Sequence, residues 1–119
     1  MSNTATMETV GSALKLISFG EATEALKEGK RVSRVGWNGK GLFIFIQVPS
    51  SVPSNIIPKM SSLPQSVKDE FERRFNRPEM TDGLIKYSNQ IAIVYPDNNI
   101  YGWTPSVSDS LAIDWINLD

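Results

Sequence analysis

The chain has 119 residues, with 12 Lys and Arg against 13 Asp and Glu and a formal net charge of -1. This length suits one domain, and the charge balance excludes broad binding to DNA or RNA polymers, which needs a basic surface to neutralise phosphates. Neither Cys nor His occurs, so disulfides, thiolate nucleophiles and cysteine zinc sites are excluded, and the commonest general base is missing.

A compact ligand with one or two phosphates remains within reach, because it needs only a few donors. No apolar run approaches the ~18 residues of a membrane span; the longest, Leu42 to Ile46, has strand length. The N-terminus lacks a basic start followed by an apolar stretch, so the expected location is cytoplasmic, without membrane attachment. A domain this small buries a limited fraction of its surface, and self-association is a common way to add core.

In chain order, residues 1–17 read as a loosely held N-terminal extension, the alternative being that Leu14, Leu16 and Ile17 dock as a strand or a helical turn. Ser18-Phe19-Gly20-Glu21 opens a helix with a capping box, the Ser18 hydroxyl accepting from the Glu21 amide while Glu21 reaches back. Phe19, Ala22 and Leu26 share one face, and Gly29 ends the helix where a left-handed residue costs little, which predicts a helix over 19–28. Residues 31–35 read as a short strand and 36–41 as a glycine-rich turn. Residues 42–48 form a second strand, apolar enough to be buried on both faces.

Residues 49–64 form a long connection with four prolines. Val67, Phe71 and Phe75 at spacings of four then predict an amphipathic helix over about 64–75, with its charged residues on the solvated face. A loop over 76–83 follows. Residues 91–95 and 100–103 form a hairpin across Pro96-Asp97-Asn98-Asn99. Ser106 caps a single helical turn through Leu111, and residues 113–118 close the chain as a strand. The fold class is α+β: a small antiparallel sheet, an N-terminal helix packed on it and an inserted second helix.

Two tryptophan segments carry the functional signal. Trp37 sits in a glycine-rich turn, where it either covers the hairpin end or faces a ligand that the glycines allow close to the backbone. Trp103 precedes Thr104, Ser106, Ser108 and Asp109 at a helix start. It is either a core residue beside a plain cap or a stacking platform beside donors for a phosphate or ribose. Trp115, in the last apolar strand, reads as core. Gly36-x-x-Gly39-x-Gly41 runs from strand to strand and is neither a Walker loop nor a dinucleotide fingerprint. No carboxylates cluster with metal-ligand spacing; Asp109 and Asp114 are too weak a pair to define a site.

The stretch Phe19-Gly-Glu-Ala-Thr-Glu-Ala-Leu-Lys-Glu-Gly29, then Val32-Ser-Arg34, then Gly36-Trp-Asn-Gly39, resembles the opening signature of the phage-encoded Thoeris anti-defence family of the second type. Trp103 through Ser108-Asp109-Ser-Leu-Ala112, followed by Asp114-Trp115, is similar to its closing signature. The resemblance implies a helix on an antiparallel sheet, assembled as a homo-oligomer, a tetramer built from dimers. It implies pockets at subunit contacts that sequester glycocyclic ADP-ribose without cleaving it, in the cytoplasm of the infected host. In some members, separate pockets are implied to hold cyclic dinucleotides or trinucleotides of the CBASS systems.

With that resemblance, the expected ligand-binding residues are Trp37, Trp103, Asn38, Arg34, Thr104, Ser106, Ser108, Asp109 and Phe19. No catalytic residue, metal or cofactor is expected. Arg34 is open between a phosphate partner and a solvated cation. Residues 18–119 are expected to form one signal-binding domain with an insertion at about 49–83. Two rival readings are a metal-dependent enzyme that hydrolyses the messenger and a phage protein that binds a host protein through the inserted helix.

Overall fold

A computed structural model of the protein describes residues 14–37, 40–77, 79 and 82–119. Residues 1–13, most of the expected N-terminal extension, and Asn38 in the glycine-rich turn lie outside the described residues. The chain divides into two compact units, Met1–Gln47 with Gln90–Asp119, and Val48–Asn89.

The first unit is an antiparallel sheet crossed by a helix. Helix α1, Phe19–Lys27, begins at Ser18 with both hydrogen bonds of the capping box in place. Gly29 follows at φ 84°, the left-handed conformation that ends the helix. The sheet strands are β1 (Val32–Arg34), β2 (Phe43–Gln47), β5 (Gln90–Val94), β6 (Ile100–Gly102) and β7 (Trp115–Asn117), in the order β6-β5-β2-β1-β7. The second unit contributes β3 (Ser50–Pro53) and β4 (Leu84–Tyr87), paired with each other.

Register explains the core of the first unit. Val32 lies opposite Ile44, Ile44 opposite Ile93, and Ile46 opposite Ile91. Alternation along each strand therefore puts these apolar side chains on one face. Ala22, Ala25 and Leu26 of α1 pack onto that face with Trp115. Leu26 is 1% exposed, a burial that stabilises by ~1.5–3 kcal/mol relative to leaving it in water. Ile17 extends the edge beyond β7: its amide donates to the Trp115 carbonyl and its carbonyl accepts from the Trp115 amide. Pairing with the sheet edge is thus in place one residue before the capping serine.

The opposite face differs from expectation. Phe43, Phe45 and Val94 there are half-buried, and Val48, beyond the strand end, is 79% exposed. Within the 42–48 segment only Ile44 is fully buried, and Leu42, Phe43, Phe45 and Ile46 are half-buried. The hairpin joining β5 and β6 turns at Asn98, φ 69°, a conformation asparagine tolerates; the Asp97 carboxylate accepts from the Asn99 amide.

The second unit carries a two-stranded ribbon and a 3-10 turn where the sequence predicts loop. Its ribbon runs from Ser50↔Tyr87 to Pro53↔Leu84, a 3-10 turn follows at Ile57–Lys59, and helix α2 spans Gln65–Phe75. Pro64 is the N-cap of α2, where its missing N–H is harmless. Val67, Phe71 and Phe75 are half-buried on the apolar face of the helix, and the rings of Phe71 and Phe75 stack with centroids 6.0 Å apart. Only Ile57 and Ile85 of the described residues in this unit are fully buried apolar groups. A cavity of about 610 Å³ opens between Leu63, Val67 and Phe71 of the helical side and Leu84 and Tyr87 of the ribbon.

Candidate functional site

The site is built around Trp115. This residue is completely buried, as expected for a core tryptophan, and its indole N–H donates to the Asp109 carbonyl at 3.0 Å. Three aromatic side chains surround it. Phe19, at the start of α1, lies 5.3 Å away between ring centroids. Trp37 stands edge-on at 5.4 Å and Trp103 edge-on at 6.1 Å. Trp37 and Trp103 also meet each other, at 6.4 Å and 77°. These tilted and T-shaped contacts are the arrangements aromatic quadrupoles favour.

Trp37 and Trp103 are half-buried. Each packs part of its indole on Trp115 and leaves part accessible. Both are satellites of the core, and both present aromatic surface. Local backbone explains their placement. Val35–Trp37 is a 3-10 turn directly after β1, and the Trp103 amide donates to the Ile91 carbonyl, continuing the edge ladder beyond β6.

The helical turn beside them, α3, spans Val107–Leu111 with Ser106 as N-cap and a second capping box. The Ser106 hydroxyl accepts from the Asp109 amide at 3.0 Å and donates to the Asp109 carboxylate at 2.9 Å. Ser106 thus closes the cap with both its donor and an acceptor lone pair. Thr104 and Ser108 are exposed.

Arg34 and two aspartates form the charged part of the site. The Arg34 Nε donates to Asp114 at 2.8 Å and its Nη1 to Asp109 at 2.9 Å. The other Asp114 oxygen accepts from the Gly36 amide at 2.8 Å. The Arg34 guanidinium also lies 5.9 Å from the Trp115 ring centroid. The hydrogen bond to Asp114 leads in holding the Arg34 guanidinium above its ordinary pKa, against desolvation, with Asp109 adding to it. The same bond leads in pulling Asp114 below the usual carboxylate range. Burial pushes Asp109 up, but the Ser106 amide and Arg34 outweigh it and leave its pKa lowered.

Of the nine expected ligand residues, the fold gathers Phe19, Trp37 and Trp103 around one buried indole and joins Arg34 to Asp109. Asp114 and the Gly36 amide are the partners that sequence reasoning missed. No spacing in the chain signals them, because Arg34 meets Asp114 through the β1–β7 pairing, in which Arg34 lies opposite Trp115. Among the described residues, no group of three Asp or Glu converges as metal ligands would, and no helix is long and apolar enough to cross a membrane.

A small antiparallel α+β domain with an aromatic cluster and a capped helical turn at one end of its sheet is the class this geometry defines. A family model described as Tad2-like, the Thoeris anti-defense 2-like domain, matches residues 17–118. The chain is similar to Thoeris anti-defense 2 of Bacillus phage SP01, at 36% identity over 99 residues, covering 83% of this chain and 91% of the relative. The chain belongs to the Thoeris anti-defence 2 family. Its match begins at Ile17, the first of the described residues to pair with β7.

Proposed function

We propose that this protein is an anti-defence sponge: it binds cyclic nucleotide immune messengers and withholds them from their receptors without cleaving them. Family membership supports the anti-defence role. The observation that carries the binding role is the pair of half-buried indoles, Trp37 and Trp103, set edge-on around buried Trp115. A rigid aromatic platform suits a purine-bearing ligand, since base stacking is worth ~1–3 kcal/mol per base.

Nanomolar capture needs about 12 kcal/mol. Two stacks with several charge-assisted hydrogen bonds of ~1.5–3 kcal/mol each reach that range, though not strictly additively. Glycocyclic ADP-ribose is the proposed principal ligand, with cyclic dinucleotides or trinucleotides as ligands of separate pockets. Asn38, Thr104 and Ser108 are proposed as polar contacts beside the indoles.

The active form is proposed to be a homo-oligomer, a tetramer built from dimers, with the pockets at subunit contacts. Support comes from α3 and the residue shortly after it. Val107, Leu111 and Ile113 are 77%, 76% and 77% exposed, and the first two share a helix face at i, i+4. Three aliphatic side chains beside the aromatic cluster gain by burial against another copy.

A release experiment tests the sponge reading. The protein is incubated with glycocyclic ADP-ribose, separated from free ligand, heat-denatured, and the supernatant analysed by mass spectrometry. Intact messenger is expected, in stoichiometric yield. A linear or hydrolysed product would overturn the reading in favour of an enzyme. Light scattering in the presence of ligand tests the assembly, and a monomer at micromolar concentration would remove the subunit-contact pocket.

A further inference from the structure

We infer that Arg34 is a positioning residue: bridged between Asp109 and Asp114, it clasps the Trp37 turn to the start of α3 and so sets the spacing of the aromatic platform. This rests on the reading of Trp37 and Trp103 as the ligand platform, and it assigns Arg34 a task other than pairing with the ligand's phosphates.

Trp37 is carried by the 3-10 turn that follows Arg34, and Asp109 is the third residue of α3. These segments are more than 70 residues apart in the chain. They are joined here by one guanidinium held between two carboxylates, at 2.8 and 2.9 Å. Asp114 adds a second tie through the Gly36 amide, and the Val35 amide donates to the Asp114 carbonyl at 3.0 Å. Arg34 through its side chain, and Val35 and Gly36 through their amides, are thereby fixed to Asp114, directly before Trp37.

The clasp is tightly fitted. A Cβ on Gly36 would lie 3.0 Å from the Asp114 carboxylate and 3.3 Å from the Arg34 guanidinium. The side chains of Arg34 and Asp109 are only 19% and 14% exposed, so their attraction is less screened than that of a surface pair. Arginine suits the task because its planar fork serves two carboxylates in fixed directions, which a lysine ammonium does not.

Charge argues against the alternative role. One guanidinium with two ionised carboxylates has a net charge of -1, and both carboxylates are held below their usual pKa. A ligand phosphate approaching Arg34 therefore meets a cluster that is negative overall. The two roles predict opposite signs for the aspartate variants: freeing Arg34 helps a phosphate contact and harms a clasp.

The test compares Asp114→Asn, Arg34→Gln, Arg34→Lys and the double variant Arg34→Gln/Asp114→Asn with the parent. Calorimetric titration of each with glycocyclic ADP-ribose is run at two salt concentrations, alongside near-ultraviolet circular dichroism of the ligand-free proteins. The expected result is a tenfold or greater loss of affinity in each single variant. The double variant should be no weaker than Arg34→Gln, and the dependence of affinity on salt should be unchanged. Ligand-free spectra should change in the indole region while far-ultraviolet spectra stay native.

Asp114→Asn binding as tightly as the parent, or tighter, would overturn the clasp, as would a salt dependence that falls in Arg34→Gln. If the glutamine variant does not fold, Arg34→Lys keeps the charge and decides the matter: parent affinity in that variant also overturns the proposal. A parent protein that fails to bind the messenger sinks the ligand reading by itself. In that case the indole-region spectra still judge the clasp, and unchanged spectra in folded variants would refute it.

Discussion

The two units of this molecule bury their apolar residues on different scales. The sheet unit closes Ala22, Ala25, Leu26, Val32, Ile44, Ile93 and Trp115 into one cluster, with Phe19, Trp37 and Trp103 packed against it. The ribbon unit fully buries only Ile57 and Ile85 among its described apolar residues and opens a cavity of about 610 Å³ beside α2. Its helix is decorated by exposed ion pairs, Glu70 with Arg73 and Arg74, of a kind that contributes little. The first unit has the rigid packing that a preorganised platform requires, since affinity is gained when groups need not be ordered on binding. The second has the low density of buried contacts expected of regions that open locally.

Trp115→Ala should break this contrast most. Removing a fully buried indole typically costs ~3–5 kcal/mol, and here it also removes the indole donor to the Asp109 carbonyl, leaving it the longer bond from the Ala112 amide. Chemical denaturation should show that loss as a lowered midpoint of the sheet unit; a midpoint near that of the parent would mean the aromatic cluster is not its keystone. Ile85→Ala should cost about 2 kcal/mol, near the low end for such truncations, because its neighbours face an open cavity and can relax. Hydrogen exchange should confine the lost protection to residues 48–89, and loss spreading to β1 and β7 would show the units to be one cooperative block.

Trp37→Ala and Trp103→Ala sharpen the comparison by separating binding from stability. Each should weaken messenger binding by ~1–3 kcal/mol, about five- to 150-fold, while lowering stability less than Trp115→Ala does. Calorimetry and melts on the three variants together decide it. Parent-like binding combined with a loss of stability as large as that of Trp115→Ala would show that both indoles serve the core alone.

Acid should act on the first unit through its paired aspartates. Asp109 and Asp114 have folded pKa values below their ordinary ones. Their charged forms thus favour the folded state above the unfolded value of ~3.9, and this stabilisation is lost as pH falls through the lowered folded values. Asp119, pulled down to about 2 chiefly by the Arg31 side chain, loses its contribution last. Melting temperature should stay level from neutral pH to about pH 5 and fall below about pH 4. Arg34→Gln should flatten that fall; an identical acid slope would mean that the ion pairs add no net stability.

The smallest effect is expected from removing most of the second unit. The β2–β5 ladder ends at Gln47↔Gln90, the residues that flank the segment, so the sheet register closes without it. A tight turn replacing residues 54–83 leaves the Pro53↔Leu84 end of the ribbon to be joined. The variant should stay soluble with an unchanged melt of the sheet unit, and aggregation would show that α2 belongs to the main core.

Much of this was readable along the chain because the signals are local. The Ser18 and Ser106 capping boxes each involve residues three apart, and Gly29 needs only its own φ. The Phe19–Leu26 face and the Val67–Phe71–Phe75 stripe follow from helical period alone. Trp115 announced itself by lying in an apolar strand. The β3–β4 ribbon was missed because Ser50-Ser51-Val52-Pro53 has neither strong alternation nor strand-forming residues throughout. Its partner lies more than 30 residues onward, so the pairing is stabilised by contacts that no local window contains.

Composition determined that this chain does no histidine or cysteine chemistry, and local sequence determined its helices, their caps and most of its turns. The two signature stretches identified the family. Only the tertiary structure decided that three tryptophans and Phe19 share one cluster, and that Trp37 and Trp103 are each part core and part surface. It alone paired Arg34 with Asp109 and Asp114. The physical reason is that caps and periodicity are interactions between near neighbours in the chain. An arginine's partner is chosen by strand register, which depends on the burial of every apolar residue in the sheet at once.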